Sequence, residues 1–204
     1  MLTIYTIGHS NHPLERFLDL LRMHCVAAVA DVRSLPYSRF SPQFNKENLG
    51  RALAANQMSY FFLGNLLGAR PNDPHCFAGG TVDFSRLCTM DYFQEGLEHV
   101  REAAARMNLA ILCSEKDPIE CHRMILVCRH LRGPGTVIRH IHENGALEDN
   151  GDAEMRLMES LHIAPDDLFM SREERIEEAY DRQGERIAFH YNEEYRTEIE
   201  FVAP

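Results

Sequence analysis

Leu109-Ala110-Ile111-Leu112 is an unbroken apolar run that ends at Cys113, with none of the alternation of a strand that keeps one face in water. Such a run is stable only when both faces of the strand are covered, and that need constrains the whole chain. Thr3–Ile7 and Val26–Ala30 are of the same kind, and Ser59–Leu63 and Thr136–Ile141 also read as strands. Between them lie stretches of helical period. Pro13 suits a first helical turn, and Phe17, Leu18 and Leu21 share one face of Leu14–Met23. Asn45–Gln57 and Met90–Met107 follow the same pattern. Strand alternating with helix is the signature of a parallel sheet covered on both sides. The expected fold is therefore α/β: a three-layer α/β/α core over residues 1–150 with a mostly parallel five-stranded sheet, then a helical, acidic C-terminal extension, residues 151–204.

Charge marks that boundary. Residues 1–150 carry 16 acidic against 15 basic side chains, whereas 151–204 carry 15 against 6 and so hold most of the net charge of −10. A near-neutral core with an acidic tail argues against broad electrostatic attachment to nucleic acid or to an anionic membrane. In the tail, Ser171-Arg172-Glu173-Glu174 is a capping box before a charged helix to about Ile187. Arg172–Gly184 offers only Ile176, Ala179 and Tyr180 as apolar contacts, which suits a clamp or partner-binding element. No run approaches the roughly 18 apolar residues of a membrane span. Met1–Ser10 has no basic leader. The expectation is a cytoplasmic protein with reduced thiols, Cys25 and Cys128 being buried ones.

Ligands of such sheets bind at the carboxyl ends of the strands. That edge should gather His9 and Ser10, Asp31 and Arg33, Arg39 from the irregular loop Ser34–Phe44, and Cys113 with Glu115. Cys121, His122 and Arg123 should stand at the start of an amphipathic helix carrying Met124, Leu126, Val127 and Leu131. A thiol facing a helix N-terminus and a guanidinium favours its thiolate, which puts Cys113 first as nucleophile or redox thiol. Cys121 is its resolving partner, or itself the nucleophile. His9 and His122 would move protons, and Ser10 would donate a hydrogen bond. Arg33, Arg39, Arg123 and Glu115 would bind the ligand, expected to be small and anionic or nucleotide-like. Each residue also has an ordinary structural role, such as a salt bridge between Arg33 and Asp31.

The competing class is a non-catalytic nucleotide or nucleic-acid module, with Tyr37-Ser38-Arg39-Phe40 stacking on a base. A third is a scaffold acting through its acidic tail. No G-x-G-x-x-G or G-x-x-x-x-G-K-[ST] motif occurs, so no cofactor is identified. No metal is expected either. Cys113…Cys121 lacks the usual zinc spacing, and adjacent residues on a helix, such as Cys121 and His122, point about 100° apart.

The motifs Thr6-Ile7-Gly8-His9-Ser10, Asp31-Val32-Arg33 with Pro36, Arg39 with Phe44, Tyr60, Leu63-Gly64, Cys113-x-Glu115-x-x-Pro118-x-x-Cys121-His122-Arg123 and His140-Ile141 resemble the domain-of-unknown-function family 488. That resemblance covers about residues 3–142 and implies a fold and a site, not a reaction. A weaker similarity is to rhodanese-like domains. The stretch from Cys113 to Arg123 is longer than their compact Cys-to-Arg loop, a departure from persulfide or phosphocysteine chemistry.

Overall fold

The computed structural model describes residues 1–164 and 169–191. β1 (Leu2–Gly8) leads to α1 (Leu14–Met23), β2 (Ala28–Asp31), α2 (Lys46–Ala55) and β3 (Ser59–Phe62). A one-turn α3 (Gly64–Leu67), a ribbon of β4 (Phe77–Ala78) and β5 (Thr81–Val82), and a one-turn α4 (Phe84–Leu87) precede the long α5 (Asp91–Arg106). β6 (Leu109–Cys113) then runs through a loop into a helix that is π-wound over Arg123–Cys128 and continues as α6 (Arg129–Leu131). β7 (Thr136–Ile141), β8 (Leu147–Asp149), α7 (Asn150–Ser160) and α8 (Arg172–Ile187) follow.

The main sheet has six strands in the order β3-β2-β6-β1-β7-β8. The five expected strands are mutually parallel, and β8 is added antiparallel to β7 at one edge. β8 escapes a sequence reading because its three residues are too few to show a period of two. β6 lies between β1 and β2, which explains its composition: all five of its residues are buried. Leu109, Ile111 and Cys113 face a cluster with Phe93, Leu97 and Val100 of α5, while Ala110 and Leu112 face Phe17, Leu21, Leu49 and Leu53 of α1 and α2. Alternate residues of one strand thus serve two cores, giving the three layers.

The helix after Cys121 departs from the expected amphipathic pattern. Every residue from Arg123 to Cys128 is buried. Leu126, Val127 and Cys128 join the sheet-side core, while Met124 and Ile125 pack with Ala153, Leu157 and Met158 of α7 and with Ile176, Ala179 and Tyr180 of α8. The face that would have met water is covered by the two acidic helices. The capping box at Ser171 and Glu174 forms as expected. Cys25 differs too: it is exposed, on a left-handed turn with φ 53° just after α1, whereas Cys128 is buried. Among the described residues, no helix is long and apolar enough to cross a membrane.

Candidate thiol site

Because β2, β6 and β1 are neighbours, their carboxyl ends bring Asp31, Cys113 and Gly8 side by side. The chain leaves β1 through His9 and Ser10, whose N–H groups donate to the carbonyls of Cys113 and Ser114 (both 2.9 Å). This prolongs the β1–β6 pairing past the strand ends. It also presses Gly8 against the next loop: a Cβ there would lie 1.8 Å from the Glu115 carbonyl oxygen. Only glycine fits.

The loop after β6 turns back through Pro118–Glu120, capped by Asp117, which is itself gripped by Arg156 of α7 (2.7 and 2.8 Å). Cys121 follows in extended conformation, φ −133° and ψ 137°, and His122 is the first residue with helical angles. The 100° divergence of helical neighbours therefore does not apply to this pair. The extended step turns both side chains toward Cys113.

The resulting cluster is tight. Cys113 Sγ donates to Glu115 Oε2 at 3.0 Å, and Cys121 Sγ lies 2.9 Å from the same oxygen. His122 Nδ1 is 3.4 Å from Cys113 Sγ, while His122 Nε2 is 3.1 Å from the Val32 carbonyl oxygen. A carbonyl only accepts, so Nε2 carries a proton, and Nδ1 faces the cluster, donating to it when the ring is cationic and accepting from it when the ring is neutral. Cys113 and Cys121 are 2% and 1% exposed. Glu115 belongs to an exposed loop position, yet its carboxylate turns inward onto both sulfurs. One ligand atom from each of Cys113, Glu115, Cys121 and His122 lies within 4.8 Å of all the others, so the four could hold a metal ion.

Electrostatics separates the two thiols. Burial pushes Cys113 well up, and the neighbouring Cys121 and Glu115 add to that. Burial would raise Cys121 as well, but the hydrogen bond with Cys113 and the positive Arg123 and His122 hold it well below the ordinary thiol value. Glu115 is raised, chiefly by burial of its carboxyl and then by Cys121. His122 is raised despite burial, because Cys121 and Glu115 favour its cation. Of the two sulfurs, Cys121 is thus the one held lower, which fits the alternative in which Cys121 is itself the nucleophile.

The arginines have other work. Arg123 is fully buried and donates to the carbonyls of Glu115 (2.6 Å) and Lys116 (3.0 Å) and to Thr6 Oγ1 (3.4 Å), so it shapes the loop carrying Glu115. Arg33 forks onto Asp31 (2.8 and 2.6 Å) and reaches the Phe44 carbonyl (2.8 Å); Tyr60 completes the group by donating to Asp31 at 2.7 Å. Both buried guanidinium groups thus have internal partners, and Arg39 is exposed on the loop before α2. The structure does not bring the three into one free anion-binding fork. His9 stacks on Phe44 with ring centroids 4.5 Å apart and hydrogen-bonds the Ser10 carbonyl through Nδ1. Burial, then Arg33, lowers His9 to about 4, so its ring is neutral near pH 7. Ser10, at φ 44°, acts through its backbone.

Sequence reasoning missed the support behind Arg123. Thr6 Oγ1 meets His140 Nδ1 at 2.8 Å, His140 Nε2 meets Asn150 Oδ1 at 3.2 Å, and Asn150 Nδ2 donates to Glu154 at 2.7 Å. Tyr180 of α8 donates to the same carboxylate oxygen at 2.9 Å. This buried chain joins the site to the C-terminal helices. His140 was visible as part of a motif, but nothing local in the sequence pairs it with a threonine 134 positions away.

Residues 13–129 match the model of a family described as domain of unknown function DUF488. The match includes Cys113, Glu115, Cys121, His122 and Arg123. No curated protein and no solved structure matches the chain.

Proposed function

Because the chain belongs to the DUF488 family, whose description states no reaction, we propose a function from the site itself: a dithiol centre that performs thiol–disulfide exchange on a small ligand. The observation that carries this reading is the convergence of two free thiols on one carboxylate oxygen, at 3.0 and 2.9 Å, beside the Nδ1 of an imidazole. Cys121, approached by the Arg123 backbone N–H at 3.5 Å, supplies the attacking sulfur. It attacks a ligand disulfide, forming a mixed disulfide and expelling one thiol, whose proton comes from the cationic His122 Nδ1 and leaves that ring neutral. Cys113 then gives its proton to His122 Nδ1, and its sulfur attacks Cys121 Sγ, releasing the second thiol. The ligand disulfide is reduced, and the protein keeps a Cys113–Cys121 disulfide. Glu115, on the exposed loop, swings aside to admit the ligand.

The test uses a Cys25→Ser/Cys88→Ser background, which removes the two cysteines that are not buried. Reduced protein is mixed with hydroxyethyl disulfide, and thiol release and intact mass are followed. The expected result is two thiols released per chain and a disulfide-linked peptide pair containing Cys113 and Cys121. Cys113→Ser should stop at a mixed disulfide on Cys121, and Cys121→Ser should release nothing. Inert thiols in the folded background protein would overturn the proposal.

A second reading, the nucleotide or nucleic-acid module, is favoured by the loop before α2. Phe40 is 92% and Tyr37 39% exposed, with the exposed Arg39 between them, a set able to stack on bases. Binding of a fluorescent single-stranded oligonucleotide that is lost in Phe40→Ala, with exchange activity unaltered, would favour that reading.

A further inference from the structure

We infer that Cys113, Glu115, Cys121 and His122 form a binding site for one divalent, thiolate-binding cation of the zinc class. The site shares its sulfurs with the exchange reading but does not depend on their reactivity.

Donor geometry is the first argument. With zinc–sulfur bonds near 2.3 Å and zinc–nitrogen or zinc–oxygen bonds near 2.0–2.2 Å, the edges of a tetrahedral site come to roughly 3.3–3.8 Å. Here the sulfur–oxygen and sulfur–nitrogen contacts are 3.0, 2.9 and 3.4 Å, and no pair of the four ligand atoms exceeds 4.8 Å. Small side-chain rotations open this set around a cation.

The histidine supplies the second argument. Metal-bound imidazoles hold their other ring N–H against a carbonyl or carboxylate, which fixes both tautomer and direction. His122 already does so: Nε2–H is anchored on Val32 O at 3.1 Å and Nδ1 faces the sulfurs.

Charge is the third. Two thiolates and a carboxylate sum to −3, a divalent cation brings this to −1, and the adjacent, fully buried Arg123 completes neutrality. In the apo protein, each sulfur–oxygen contact near 3 Å needs a shared proton. The cation takes the place of those protons, which pass to solvent. Two sulfurs and an imidazole select zinc-class ions over magnesium or calcium, which prefer all-oxygen sites. Three of the donors, Cys113, Cys121 and His122, also stand on fixed supports: the end of β6, the turn Pro118–Glu120 and the first turn of a buried helix.

The test uses the full chain, reduced and stripped with a chelator, titrated with cobalt(II) and then zinc(II), with magnesium(II) as control. The expected result is saturation at one equivalent, with sulfur-to-cobalt charge-transfer bands and tetrahedral d–d bands that zinc abolishes and magnesium does not. Loss of an outer hydrogen-bond partner alone weakens metal sites by about 10–100-fold, so Cys113→Ser and Cys121→Ser should each weaken cobalt by more than about 100-fold. Glu115→Gln, which keeps the side chain's size at an exposed loop position, should weaken it by at least about 10-fold. Cys25→Ser/Cys88→Ser should bind as the unaltered chain does. Absence of a stoichiometric cobalt spectrum, or affinity unchanged in Glu115→Gln and Cys121→Ser, would overturn the inference. Exchange assayed on the metal-free protein separates the two proposals: exchange without cobalt binding removes only this one, and cobalt binding without exchange removes only the other.

Discussion

Gly8→Ala is the substitution whose effect follows most directly from the structure. The added methyl would sit 1.8 Å from the Glu115 carbonyl oxygen, 2.8 Å from its carbon and 3.3 Å from an Arg123 nitrogen. The first two are backbone atoms, so the loop must retreat by more than an ångström. That retreat strains the bridges His9 N–H to Cys113 O and Ser10 N–H to Ser114 O, and the 2.6 Å bond from Arg123 to Glu115 O. Overpacking costs about 1–3 kcal/mol, and a buried polar group left unpaired about 1–3 kcal/mol. Against this, alanine restricts the unfolded chain and returns about 0.4–1 kcal/mol. The expected net loss is about 2–4 kcal/mol. The same displacement moves the Glu115 carboxylate off the sulfurs, so cobalt affinity and exchange rate should fall together. Gly151→Ala is the matched control: it lies in α7 with nothing within 4 Å of its would-be Cβ. It should be neutral, or stabilising by up to about 1 kcal/mol. Denaturant unfolding of both variants beside the unaltered chain reads this out. If Gly8→Ala were as stable as Gly151→Ala, the account of β1 pressed against the Glu115 loop would be wrong.

Three further expectations concern the buried support. Burial, then the charge of Arg123, depresses His140 to about 3, below its unfolded value of 6.5. The unfolded chain therefore binds a proton that the folded chain refuses, and stability present above pH 6.5 is lost as pH falls toward 3, at up to about 1.4 kcal/mol per pH unit from this group. Unfolding measured at several pH values should show His140→Asn with a shallower acid slope, and identical slopes would contradict this. Arg123→Lys leaves a compact ammonium to serve the Glu115 and Lys116 carbonyls and Thr6, and should cost about 2–4 kcal/mol and slow exchange; unchanged unfolding midpoints would refute it. Tyr180→Phe removes a donor from the buried Glu154 carboxylate and should cost about 1–2 kcal/mol in urea unfolding, with β1–β6 and the thiol site intact.

The continuous apolar run Leu109–Leu112 announced a strand covered on both faces, and the periodicity of Leu14–Met23 and Met90–Met107 announced the helices that cover it. Local patterns of this kind follow from the two repeat geometries of the backbone and need no partner to be seen. The capping box at Ser171 is equally local, and so is the cluster of Cys, His and Arg around residues 113–123. What could not be read there were quantities set by distance in space. The Arg33–Asp31 salt bridge was legible as an alternative, but the Phe44 carbonyl that completes it and the Glu115 and Lys116 carbonyls that occupy Arg123 are brought into place only by the folded loops.

From its sequence alone, then, this chain determined its five parallel strands and the long helices between them, and it offered the chemistry-bearing residues at their ends as candidates. Tertiary structure decided how they meet. An extended backbone at Cys121 turns two thiols, a carboxylate and an imidazole onto one point, and α7 and α8 bury the helix behind them. The reason is physical: periodicity assigns a residue to a face, whereas bond formation requires positions fixed to a fraction of an ångström, and only the packing of distant segments supplies those.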